Sequence, residues 1–124
     1  MNTSFHPLPP GYTHVQHTFE PVFDEHSRIL ILGSFPSVKS RENQFYYGHP
    51  QNRFWKLMAL LLNVPVSQSI DEKKTMLLTH GLALWDVIAS CDIKGSSDSS
   101  IKNAVPADIS RILKAADIQT IIAN

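Results

Sequence analysis

The clearest pattern in the chain is a short apolar run, Ile29-Leu30-Ile31-Leu32, that stops at Gly33-Ser34-Phe35-Pro36-Ser37. A run of this length bounded by turn residues predicts a buried strand over 28–33. A polar, aromatic loop follows, and Pro50 suits the first position of a helix that ends near Asn63, before Pro65. In that helix Leu57, Leu60 and Leu61, with Phe54 one turn earlier, form the expected core stripe. Asp71 to His80 reads as a second helix, capped by Ser69 or Asp71 and closed by Gly81. The apolar run Leu82–Ile88 reads as a buried strand or helix, the favoured form being a short strand passing into a helical turn. Gly95–Ser100 reads as a polar loop, Pro106–Ala116 as a third helix and Gln119–Ala123 as the next strand. Strands separated by helices in this order predict a parallel sheet covered by helices.

Residues 1–27 show no lasting period and contain Pro7, Pro9, Pro10, Gly11 and Pro21, so they read as an extended arm. From that arm Phe19, Val22 and Phe23 are expected to pack on the first strand. The domain proper is expected over 28–124. Its last segment, Thr120–Asn124, reads as a core strand reaching its functional end with nothing after it. A C-terminally incomplete domain is therefore expected.

Composition narrows the picture. The chain has 124 residues, 43% hydrophobic and 18% charged, which suits one domain with a real core. Eleven basic residues balance eleven acidic ones, so bulk charge does not argue for a nucleic-acid partner. Locally, Arg28, Lys39, Arg41, Arg53 and Lys56 face a single acid, Glu42, around the loop after the first strand. The lone Cys91 excludes an internal disulfide and a cysteine-based zinc site, and its neighbours suggest a small buried residue. His6, His14, His17 and His26 fit no metal-ligand spacing and read as scattered surface histidines. With no signal peptide pattern and nothing near the roughly 18 apolar residues of a membrane span, a cytoplasmic protein is expected.

The loop residues carry the chemistry. Gly33-Ser34-Phe35-Pro36-Ser37 after a strand, then Tyr47-Gly48-His49-Pro50-Gln51-Asn52-Arg53-Phe54-Trp55, resemble the uracil-DNA glycosylase superfamily. The second block is similar to the mismatch-specific branch and the Gly-Ser-Phe-Pro form of the first to the hypoxanthine (deoxyinosine) branch. Gly81-Leu82-Ala83-Leu84-Trp85-Asp86-Val87, Gly95-Ser96-Ser97-Asp98 with Ile101, and Ile121-Ile122-Ala123-Asn124 match that branch in order and spacing, so the resemblance covers about residues 26–124. It implies a three-layer α/β/α fold around a central parallel four-stranded sheet, the last strand and helix falling outside this chain. It also implies a monofunctional DNA glycosylase that flips a deaminated base, hypoxanthine or uracil, out of the stack and hydrolyses its N-glycosidic bond. The implied partner is DNA carrying such a base, bound by a monomer without membrane, metal or organic cofactor.

Residue by residue, the resemblance departs from other branches at Phe35, where they carry Asp or Asn to orient the attacking water. Phe35 has no polar atom and is left to stack on the base, so the hydrolytic role falls to Asn52. Its amide both accepts and donates, and it is expected in the first helical turn after Pro50. A structural hydrogen bond from Asn52 to the loop backbone is the alternative. Gly33, Ser34, Phe35, Pro36, Tyr47, His49 and Asn124 are the implied substrate-binding positions, with Tyr47 bordering the base and Asn124 reading its edge. Tyr46 and Phe45 read as packing residues, and His49 either donates to the ligand or closes the turn. Ser37, Lys39, Ser40 and Arg41 are positioned to contact DNA phosphates, or else form an ordinary surface face. A catalytically silent nucleotide or nucleic-acid binding module on the same fold remains the second reading.

Overall fold

In a computed structural model, which describes residues 8–124, the strand β2 (Ile29–Gly33) is the centre of a parallel sheet. On one side it pairs with β3 (Leu82–Asp86) in the register Ile29↔Leu82 through Gly33↔Asp86. On the other it pairs with β6 (Thr120–Ala123), Ile29 opposite Thr120. Alternation along β2 sends successive side chains to opposite faces. Ile31 packs with Leu84, Trp55, Met58 and Leu77, whereas Leu30 packs with Ala83 and Ile112. Each face thus buries its own cluster under helices, which is why β2 reads as continuously apolar rather than alternating. Fully burying a Leu such as Leu30, Leu77 or Leu84 contributes ~1.5–3 kcal/mol before ordering costs.

The helices are α1 (Val38–Asn43), α2 (Phe54–Leu62), α3 (Ile70–Thr79) and α4 (Ser110–Ala115). Ser69 caps α3 by accepting from Glu72 N–H, and Glu72 reaches back to accept from Gln68 N–H, so the entry to α3 is held from both sides. The α2 helix begins at Phe54 rather than at Pro50, which lies in the preceding turn. Its buried face is Trp55, Met58 and Ala59, and the expected stripe Leu57, Leu60 and Leu61 faces outward. The helix is apolar nearly all round, so periodicity alone did not select its inner face.

Three strands lie outside the parallel sheet. β1 (Thr13–Gln16), β4 (Ile88–Ile93) and β5 (Lys102–Pro106) form an antiparallel sheet in the order β1-β4-β5. The expected helical turn after Asp86 is absent: the chain bends at exposed Val87 and continues as β4. Likewise the helix expected from Pro106 begins only at Ser110, because Pro106 ends β5. The fold is α/β, as expected, but the parallel sheet has three strands among the described residues, not four. The chain's other strands are committed to the antiparallel sheet. The arm contributes β1, and Val22 makes an antiparallel bridge to Leu84 while Phe23 packs against Leu30.

Candidate active site

Three parallel strands end at one edge, and their last residues meet there. Gly33 sits opposite Asp86, and Asn124 N–H donates to the Leu32 carbonyl oxygen. The carboxyl edge of an open parallel sheet is where α/β folds place ligands. The long connection from β2 to α2 folds over this edge and leaves a cavity of about 220 Å³. Its lining includes Gly33, Ser34, Phe35, Pro36, Ser37, Ser40, Tyr47, Asn52 and Asn124 from the expected set, together with Tyr46, Asp86, Ser96 and Asp98.

Serines hold the covering loop. Ser37 caps α1 by accepting from Ser40 N–H, and its hydroxyl donates to Ser40 Oγ. Buried Ser40 in turn accepts from Gly48 N–H at 2.8 Å, latching the far end of the loop to α1. The Gly95–Asp98 loop closes the other wall: Val38 N–H donates to Ser96 Oγ, Ser34 Oγ donates to Asp98 Oδ2, and Arg41 donates to the Gly95 carbonyl oxygen. Gly33 has no room for a side chain. A Cβ there would lie 2.5 Å from Asp86 Oδ1 and 3.4 Å from the Tyr47 hydroxyl.

Tyr47 takes a left-handed backbone conformation (φ +51°), stacks on Phe54 at 3.9 Å between ring centroids, and accepts from Asn124 Nδ2 at 2.8 Å. Its phenol is pushed above the usual tyrosine range by burial, partly offset by the Asn124 bond. Tyr46 is pushed up further, first by burial and then by the Asp86 and Glu20 carboxylates, so it is a neutral donor, bonded to the Glu20 carbonyl oxygen. Phe35 is buried against Cys91 and Ile93, with one edge in the cavity. Burial holds the Cys91 thiol above its ordinary range.

Asn52 lies before α2, not within its first turn. Its Oδ1 accepts from Phe54 N–H at 2.8 Å, serving the helix start that Arg53 leaves without a side-chain cap, while Nδ2 has no protein acceptor among the described residues. Lys39, Arg41 and His49 do not line the cavity. Lys39 pairs with Glu42 at 3.2 Å, Arg41 folds over the Phe35 ring, and His49 Nδ1 accepts from Gln51 N–H within the turn.

Two histidines expected at the surface are engaged. His14 bonds Asp92 at 2.8 Å, and Asp92 is held below the usual carboxylate range by the Asn103 amide and then by His14. His17 is buried against Asp86. Asp86 is the site residue the sequence reading passed over, although an acid closing a buried strand level with Gly33 was a usable signal. No group of His, Cys, Asp and Glu suited to a metal ion occurs among the described residues, and no helix there is long and apolar enough to cross a membrane.

Comparisons with known proteins place the chain in a family. The chain is 41% identical over 88 residues to a hypoxanthine DNA glycosylase of Methanosarcina acetivorans, covering 70% of this chain and 56% of that protein. It is 39% identical over 87 residues to a hypoxanthine DNA glycosylase of Methanosarcina barkeri, covering 68% and 54%. The chain thus spans about half the length of these curated relatives. A solution NMR structure from Methanosarcina acetivorans, provisionally described as a uracil DNA glycosylase, superposes with a TM-score of 0.74 at 34% identity, over 86% of this chain and 67% of that one. The family model of the uracil DNA glycosylase superfamily matches residues 20–123, and the chain belongs to that superfamily.

Proposed function

We propose that this protein is a DNA repair glycosylase that hydrolyses the N-glycosidic bond of a flipped deaminated base, hypoxanthine or uracil. The observation that carries this reading is the Asp86 carboxylate in the cavity wall. Its Oδ2 is engaged by His17, and its Oδ1 has no donor among the described residues. Deamination converts adenine N1 and cytosine N3, both acceptors, into the N–H donors of hypoxanthine and uracil. A fixed acceptor therefore favours the damaged base over its parent. Leaving it opposed by a lone pair instead costs ~1–3 kcal/mol. Asn124 Nδ2, already on the Tyr47 hydroxyl, stands beside the same space and would meet the base edge.

Hydrolysis then needs a water on the far face of the sugar and support for charge moving onto the base. The Asn52 amide orients the water rather than deprotonating it, and Phe35 and Tyr47 border the base with apolar surface. Ser37 and Ser40 are used inside the fold, so exposed Lys39 is the basic side chain of the α1 region best placed to reach a DNA phosphate. The relatives' name, hypoxanthine DNA glycosylase, supports the same substrate class.

The silent binding module keeps one observation in its favour, the bond from Phe54 N–H to Asn52 Oδ1, which is a structural use of that side chain. One experiment separates the two. The chain, and a form extended to the length of the relatives, are incubated with oligonucleotides carrying one hypoxanthine or one uracil and then with alkali to cut abasic sites. Cutting by the extended form that falls at least a hundredfold in Asn52→Ala is expected. DNA binding without cutting on either base would leave the binding module.

A further inference from the structure

Residue 17 lies before the span 20–123 that matches the family, yet it reaches the cavity wall. The His17 side chain is 3% exposed, and its Nε2 is 2.7 Å from Asp86 Oδ2. Phe19, Tyr46 and Phe35 surround the ring at centroid distances of 4.3, 5.8 and 6.2 Å. The backbone fixes it from both sides: His17 N–H donates to the Ala89 carbonyl oxygen at 2.8 Å where β1 leaves β4, and Val22 then bridges Leu84. His17 Nδ1 is buried without a partner among the described residues. Packing alone would favour Phe in such an aromatic cage, because an unpaired buried ring nitrogen is a desolvation cost. The polar return for that cost is the bond to Asp86.

We propose that His17 is a positioning residue of the cavity, donating from Nε2 to Asp86 Oδ2 and so presenting Oδ1, beside Gly33, to the bound base. The proposal rests on the base-binding reading above and extends it to a residue of the N-terminal segment. Without that donor the carboxylate torsion is broad and roughly two-fold, and no single oxygen is held toward the ligand. The partner sets the acceptor's direction, so the effect of His17 has to pass through Asp86.

The test titrates free hypoxanthine into the ¹⁵N-labelled chain and reads affinity from amide shifts around Gly33 and Tyr47. His17→Phe keeps the ring packing and is expected to weaken binding at least tenfold, while His17→Gln, whose amide can donate, recovers most of that loss. In an Asp86→Ala background, His17→Phe is expected to change the residual affinity less than twofold. Wild-type affinity in His17→Phe, or equal losses in both backgrounds, would overturn the positioning role alone. A wild-type chain blind to hypoxanthine would sink the base-binding reading and the proposal with it. The His17 imidazole N–H signal, expected to be protected from exchange and to shift in Asp86→Ala, distinguishes a broken pair from an empty cavity.

Discussion

Gly33 shows how tightly the cavity is drawn. Its place opposite Asp86 leaves 2.5 Å between a would-be Cβ and Asp86 Oδ1, and that oxygen belongs to a carboxylate held by His17. Gly33→Ala should therefore displace Asp86 or open β2 from β3, with ~1–3 kcal/mol of overpacking strain. Urea unfolding is expected to show that loss, and hypoxanthine binding to fall at least tenfold; unchanged binding would mean Asp86 does not face the ligand. Gly33, Asn52 and Asn124 were legible in the sequence because each stands at a strand end or in a loop block whose order is distinctive. The Asp86–His17 pair was not, since it joins residues 69 positions apart across two sheets. Nothing local to His17 separates it from His14 or His26, and only tertiary burial does so.

At the scale of elements, the same contrast appears in the strands. β2 and β3 were readable because a strand covered on both faces is apolar throughout, or nearly so, whereas β6 was readable from its apolar residues alone although it lies exposed at the sheet edge. β5 was hidden: all five of its residues are exposed, its partner β4 pairs with irregular register, and Asn103 turns left-handed within it. Such a strand is specified by its neighbour rather than by its own pattern. The start of α2 is a second case, where Asn52, not Pro50, sets the boundary by accepting from Phe54 N–H. This separates two uses of one side chain. Asn52→Ser keeps a weaker version of the turn bond and removes the amide. Asn52→Ala removes both and is expected to lose about 1 kcal/mol in a thermal or urea melt. If excision depends on the amide, both variants are inactive while only Ala is clearly destabilised. A Ser variant with near-normal excision would assign Asn52 to the helix start alone. Ser40 is the matching device for the loop: Ser40→Ala leaves Gly48 N–H without its acceptor, with an expected cost of ~1–3 kcal/mol measured in the same melts.

At the scale of the molecule, Tyr46 is the point where arm, loop and helix are tied together. Its hydroxyl donates to the Glu20 carbonyl oxygen at 2.8 Å, its own carbonyl oxygen accepts from Trp55 Nε1 at 3.1 Å, and its ring meets Phe19 and Phe45 edge-on. Burial, reinforced by the Asp86 and Glu20 carboxylates, raises its phenol above the ordinary tyrosine range. The sign of the consequence follows from linkage. Below about pH 10 both folded and unfolded chains hold the proton, and stability is unaffected. Above it the unfolded chain releases the proton first, so the folded state binds more protons and stability falls as pH rises. Tyr46→Phe should thus be less stable than wild type at neutral pH by about 1 kcal/mol, from the lost bond to Glu20. Between about pH 9.5 and 11 its stability should decline less steeply, the remaining slope including Tyr47, which burial also raises. Urea midpoints taken across that range check this directly. Parallel declines would mean that Tyr46 is already ionising in the folded chain, and that the joint between arm and cavity is wetter than its burial implies.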